Sequence, residues 1–359
     1  MRIEQLTFTR FIAAMAIVVF HFGDHSILFT NKYVAFLFNQ ANVGVSYFFI
    51  LSGFVMIVAY NNKDKIYFAE YLKNRLARIY PIYLLALLLF LIAFFVENLS
   101  NKIHISDLLL NISMLQAWVP SKALSLNYPS WSLSVEMLFY ISFPLLYNFF
   151  YKKSNLKNIA IWIVLFWIVT QIFFHLVVQM KVVEIPYFSV LDLKYHPVFH
   201  FNEFLIGNLL GLFYVQKLLG REKNYLTLIL FLLLALVLLL KFRFGLNFHN
   251  GLLSVVFAPL ILFISLSTDK LTKIFTNPSL IFLGEISFGI YILQVPIWAI
   301  FSDYKLNKYL GLDYQKDFTV SFIIRLIILI VFSSLSYLYF ETPIRNRIKN
   351  IGMTKNKNI

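Results

Sequence analysis

Arg10 and His21 stand eleven residues apart in the first long apolar run of the chain. In a helix, eleven residues turn about 20° past three full turns and rise about 16 Å. The two side chains therefore share one helix face, with a cation low on it and an imidazole high. Such a face suits a long, narrow anionic ligand that brings its reactive end to the imidazole. An imidazole with an ordinary pKa of about 6.5 can take a proton near neutrality as a general base. Arg75 and Arg78, at i and i+3 on one helical face, add two close guanidinium forks, a pattern that suits bidentate contact with phosphate.

Other ionisable residues also fall within or beside apolar runs, where they are costly and point to function. They sort into two layers. One holds His21, Glu136, His200, Glu203 and Arg325. The other holds Arg10, Arg75, Arg78, Glu285, Glu341 and Arg345. Structural ion pairing explains any one of them as well as function does, but not so readily a layered set with two histidines. Glu136 is expected at the depth of His21, as a candidate to orient or charge-stabilise the imidazole. Trp131, Ser132, Ser134 or a backbone N–H can serve as oxyanion donors. His200 and Glu203, in the same layer, are candidates for substrate contact. His25 follows His21 at i+4, a metal-like spacing, but no third ligand accompanies the pair and no metal is expected.

The elements that must carry these residues follow from composition. Of 359 residues, 60% are hydrophobic and only 13% charged, which excludes a soluble globular protein. Disorder is excluded as well, because 40 Phe, 21 Tyr and 5 Trp cannot all stay solvated. Long apolar runs argue helices rather than an outer-membrane barrel. The fold class is an all-α polytopic membrane protein of about ten transmembrane helices, near 6–23, 43–60, 79–97, 131–150, 159–179, 198–216, 225–243, 252–267, 282–301 and 320–340. The first run carries Arg10 and lacks a small-residue cleavage site, so it reads as a span and not a removable signal. Gly207 and Gly211, at i and i+4, are expected to permit close helix contact. One membrane domain over 1–347 and a short polar tail over 348–359 fill the chain.

The formal net charge is +14, and there is no cysteine for a disulfide, thiolate nucleophile or Cys-based metal site. With ten spans and the N-terminus inside, 20 of the 31 Lys and Arg fall on inner segments, 10 on outer loops, and Arg325 within the last span. That bias places both termini in the cytoplasm and accounts for the basic excess without a nucleic-acid partner.

A series of short motifs runs in order along the chain. It comprises Arg10-x10-His21, Gly44-Val45-Ser46-Tyr47-Phe48-Phe49-Ile50-Leu51-Ser52-Gly53-Phe54, Arg75-x-x-Arg78-Ile79-Tyr80-Pro81 and Trp131-Ser132-Leu133-Ser134-Val135-Glu136-Met137-Leu138-Phe139-Tyr140. Glu203-Phe204-Leu205-Ile206-Gly207, Ile286-Ser287-Phe288-Gly289-Ile290-Tyr291-Ile292-Leu293 and Glu341-Thr342-Pro343-Ile344-Arg345 complete it. The series resembles the acyltransferase-3 membrane proteins over nearly the whole chain. That resemblance implies a ten-helix domain of a bacterial cytoplasmic membrane. It implies transfer of an acyl group from cytoplasmic acyl-CoA, commonly acetyl-CoA, to a hydroxyl on a lipid-linked or exported glycan such as O-antigen, exopolysaccharide or peptidoglycan. It also implies required roles for Arg10 and His21, and association of Arg75 and Arg78 with the acyl donor. Two positions depart from the family pattern: Ser46 stands where Asp is frequent, and Gln294 where His is frequent. Many relatives carry an additional periplasmic domain that finishes the transfer; without one, the chain is expected to work alone or with a separate partner.

The expected mechanism places CoA phosphates on Arg75, Arg78 and Arg10 and the thioester beside His21. A covalent acyl-enzyme remains an alternative route. The rival classes are a transporter using the same intramembrane charges and a polysaccharide-export component without catalysis.

Overall fold

The computed structural model describes residues 3–96, 103–179, 187–218 and 224–351. Arg2, Lys102, Lys181, Arg221, Lys223, Lys355 and Lys357, all counted above, and the tail beyond 351 lie outside them. The helix Thr342–Asn350 runs across the expected tail boundary at 347.

Among the described residues the regular elements are helical. Ten principal helices coincide with the ten expected runs. They are α1 (Gln5–Phe22), α2 (Gly44–Tyr60), α3 (Phe68–Val96), α4 (Trp131–Leu145), α5 (Leu156–Phe174), α6 (Pro197–Val215), α7 (Leu226–Phe242), α8 (Ser254–Leu266), α9 (Pro278–Ile300) and α10 (Phe318–Ser336). An eleventh, α11, is Thr342–Asn350. Among the described residues, eight helical segments are long and apolar enough to cross a membrane. The other two, α7 with 17 residues and α8 with 13, fall short of the roughly 20 needed to span.

One boundary differs from expectation. α3 starts at Phe68, well before the expected 79, so Arg75 and Arg78 ride on a continuous 29-residue helix rather than a loop. The apolar run begins only at 79 because Glu70, Lys73, Asn74, Arg75 and Arg78 precede it, but the helix does not stop where polarity begins. Pro81 lies within it, and Ile82 and Tyr83 just beyond are fully buried. The amphipathic stretch after 104 forms a short helix, Ile105–Ile112. It docks on α3 through Tyr83 Oη donating to Asn111 O at 2.6 Å and Tyr80 Oη donating to Ile112 O at 3.0 Å.

Two helix pairs are held at backbone contact. α2 packs along α6, and α1 along α9. A Cβ on Gly207 would overlap the Ile50 carbonyl, and one on Gly53 the Phe204 carbonyl. On α9, a Cβ at Gly284 would overlap the Thr7 carbonyl of α1. Only glycine permits this approach, and in a bilayer close packing is a main source of helix association. Around these pairs runs a core in which Phe49, Phe139, Phe143 and Phe204 are fully buried. Gly207→Leu is expected to lower the melting temperature of detergent-purified protein sharply, since overpacking costs about 1–3 kcal/mol even where the backbone can yield. Leu228→Ala, on the exposed face of α7, is the control and should leave the melting temperature nearly unchanged.

Candidate functional site

α1, α3, α4 and α9 converge on a cavity of about 110 Å³ lined by Arg10, Arg75, Arg78, Ser132, Glu136, Tyr140, Glu285 and Tyr291. A second cavity of about 320 Å³ adjoins it toward the end of the bundle where α1 begins. The two share Arg10, Val55, Arg78, Glu285 and Phe288. The second adds Thr7, Tyr337, Glu341 and Arg345. The three expected anion-binding arginines thus meet on one continuous space, with two guanidiniums at its waist.

Each cation has its own setting. Arg75 lies over the rings of Tyr60 and Tyr71, at 5.5 and 5.4 Å, and its Nε is sealed from solvent without a hydrogen-bond partner. Cation–π contact and flanking aromatics hold the guanidinium without neutralising it. Arg78 makes no hydrogen bond and no ion pair among the described residues, and its side chain is exposed to the cavity. A guanidinium open to a cavity in this way has the donor geometry for bidentate contact with an anion.

Glu136 faces this cavity, and its Oε2 accepts a hydrogen bond from Tyr140 Oη at 2.8 Å. It is therefore grouped with the arginines and not with His21. The reason is its place on α4, four residues, or about 6 Å, further along from Ser132. Carboxylates elsewhere on the cavity wall also meet phenols: Tyr337 Oη donates to Glu285 Oε2 at 2.7 Å. Tyr140 closes the motif that opens at Trp131, and its i+4 spacing from Glu136 is the signal for their contact; Tyr337 carries no such local signal.

His21 lies at the far end of α1, beyond the residues that line the two cavities. Its Nδ1 is 2.8 Å from Gln294 Oε1, and its ring meets the Tyr128 ring edge-on at 4.9 Å. The partner expected from Glu136 is thus supplied by Gln294, the residue noted only as a departure from the family pattern. Ser132 and Tyr291 link cavity and imidazole. Tyr291 Oη lies 3.0 Å from Ser132 Oγ and 2.8 Å from Pro129 O, while Tyr291 O accepts from Gln294 Nε2.

The other candidates sit apart from the cavities. Ser134 Oγ donates to Gln116 Oε1 at 3.0 Å and ties α4 to the segment before it. Trp131 is buried between Tyr195 and the rings of His200 and His249. His200 Nδ1 is 2.8 Å from Glu203 Oε2 and Nε2 is 2.8 Å from Lys194 O, with both side chains fully buried. In the loop before α8, burial and the adjacent His200 push the His249 imidazole down to about 3, so it stays neutral. Arg325 is consumed by structure: Nε donates to Phe301 O at 2.7 Å and Nη2 pairs with Asp303 Oδ1 at 2.5 Å.

Comparison with known proteins adds to this geometry. The family model described as an acyltransferase domain, acyltransferase-3, matches residues 3–340. Acyltransferase MdmB of Streptomyces mycarofaciens is 31% identical over 155 residues, covering 41% of this chain and 40% of that protein. The chain thus spans about two fifths of that relative's length. No solved structure matches.

Breaking the His200–Glu203 pair by His200→Ala should leave a carboxylate buried alone, at a cost of about 3–5 kcal/mol. A thermal melt of the purified protein in detergent checks this: a large drop is expected, and an unchanged melting temperature refutes the bracing role.

Proposed function

We propose, because this chain belongs to the acyltransferase-3 family and is an acyltransferase, that its donor is cytoplasmic acyl-CoA, acetyl-CoA in the simplest case. The acceptor is a hydroxyl of a cell-surface or lipid-linked carbohydrate. The multi-pass helices hold the enzyme in the cytoplasmic membrane of a bacterium, with both termini inside.

The observation that carries the donor assignment is the set of three guanidiniums on one cavity system, with Arg78 open toward it. The smaller cavity is the narrower of the two, about 110 against about 320 Å³, and takes the extended arm. The nucleotide end therefore stays at the wider mouth near Arg345, and the pantetheine arm climbs past Arg10 and Arg78 toward Ser132 and Tyr291. The Arg10-to-His21 rise of about 16 Å is the reach this arm must cover.

At the top, the acceptor hydroxyl oxygen attacks the thioester carbon while its proton passes to His21. The carbon–sulfur bond then breaks, and the proton returns from His21 to the departing thiolate. An ester and free CoA thiol result. Glu136 and Tyr140 shape the charge around the donor, and Ser132, now bonded to Pro129 O, is the candidate oxyanion donor near the reacting carbonyl once its hydroxyl turns.

Three measurements test the proposal. Arg75→Ala with Arg78→Ala should weaken acetyl-CoA binding at least about tenfold, as expected for lost charge-assisted contacts; unchanged affinity overturns the donor site. His21→Ala should lower kcat by about 10²–10⁴ with donor affinity kept; wild-type transfer overturns the base. Mass and NMR spectra of surface glycans from a deletion strain should lose an acyl signal present in the parent. Identical spectra overturn the carbohydrate acceptor.

A further inference from the structure

We infer that Gln294 is the positioning residue that makes Nε2 the basic nitrogen of His21. The inference rests on His21 being the base of the proposed transfer.

The assignment follows from donors and acceptors alone. Gln294 is fully buried on α9. One arm of its amide lies 2.6 Å from the Tyr291 carbonyl oxygen, the other 2.8 Å from His21 Nδ1. A carbonyl can only accept, so the arm facing Tyr291 O must be the NH2 group. The reverse orientation would set two acceptors against each other. The arm facing His21 is then the amide oxygen, which also can only accept. Nδ1 must therefore carry the hydrogen. A neutral imidazole has one N–H, so its lone pair is on Nε2. Among the described residues Nε2 has no hydrogen-bond partner, and it is not among the polar atoms sealed from solvent.

The anchor itself is held. Pro296 has no N–H to offer the Ile292 carbonyl four residues back. Asn127 Nδ2 donates to that carbonyl instead at 2.9 Å, tying α9 to the turn that carries Tyr128 and Pro129. Tyr291 Oη meets the same turn at Pro129 O. The groups facing the imidazole are Gln294 from α9, Tyr128 from that turn, and Phe20 and Phe22 from its own helix. Toward the imidazole Gln294 therefore presents only its amide oxygen, and it selects a tautomer without adding charge.

The test uses the full-length protein in detergent, 15N-labelled at histidine, with His21→Gln to assign the signal. In the wild type, His21 should show the Nδ1–H tautomer. In Gln294→Leu, the Nε2–H form should rise, and thiol release from acetyl-CoA should fall about 10–100-fold with acetyl-CoA affinity unchanged, as for other lost orienting partners. Gln294→Glu keeps an acceptor on Nδ1–H. It should retain the tautomer and most of the rate. Its acidic limb should move to higher pH, because a carboxylate favours the imidazolium and the base must be neutral. A wild-type Nε2–H tautomer, or an unchanged spectrum and rate in Gln294→Leu, overturns the inference. If Gln294→Leu does not fold, the tautomer and limb shift of Gln294→Glu decide alone. Full activity in His21→Ala overturns the base assignment itself; an inactive His21→Ala beside a fully active Gln294→Leu overturns only the role of Gln294.

Discussion

Two backbone-to-backbone contacts govern everything else in this bundle. Lipid offers helices no hydrophobic reason to associate, so packing has to supply the attraction. At Gly207 against Ile50, and at Gly284 against Thr7, the absent side chain lets two helices touch along their main chains. The second contact matters most for chemistry. α1 carries Arg10 and His21, while α9 carries Glu285, Tyr291 and Gln294. Pinning the two near their starts brings Arg10 and Glu285 onto one cavity wall, and further along brings His21 within 2.8 Å of Gln294.

Around that frame, polar groups divide by what satisfies them. Arg325, His200 and Glu203 find protein partners and brace the bundle. Glu136 rests on a phenol, Arg75 is flanked by aromatic faces, and Arg78 keeps its guanidinium open to the cavity. A direct Glu136–Arg78 ion pair would have discharged the site.

Much of this was legible in residue order. The Arg10–His21 spacing is a statement about helix pitch, and helices form across each of the ten apolar runs. The arginine pair needed only i, i+3 logic. What sequence did not disclose was depth. A few residues along α4 decide whether Glu136 meets an imidazole or a guanidinium, and no periodicity reports the offset between two helices. The start of α3 was hidden because its first turns carry Glu70, Lys73, Asn74, Arg75 and Arg78 and so fall outside the apolar run. Gln294 was visible as an oddity. Its meaning depended on a carbonyl three residues earlier and an imidazole 273 positions away.

The Tyr291–Ser132 contact has a consequence for permeability. A bilayer protein that keeps a polar cavity beside three guanidiniums risks becoming an anion leak driven by the membrane potential. Tyr291 lines that cavity, while its hydroxyl closes against Ser132 and Pro129 and its carbonyl steadies the amide on His21. The residue that couples the two halves of the site thus lies between the cavity and the imidazole, where such a leak would have to be blocked.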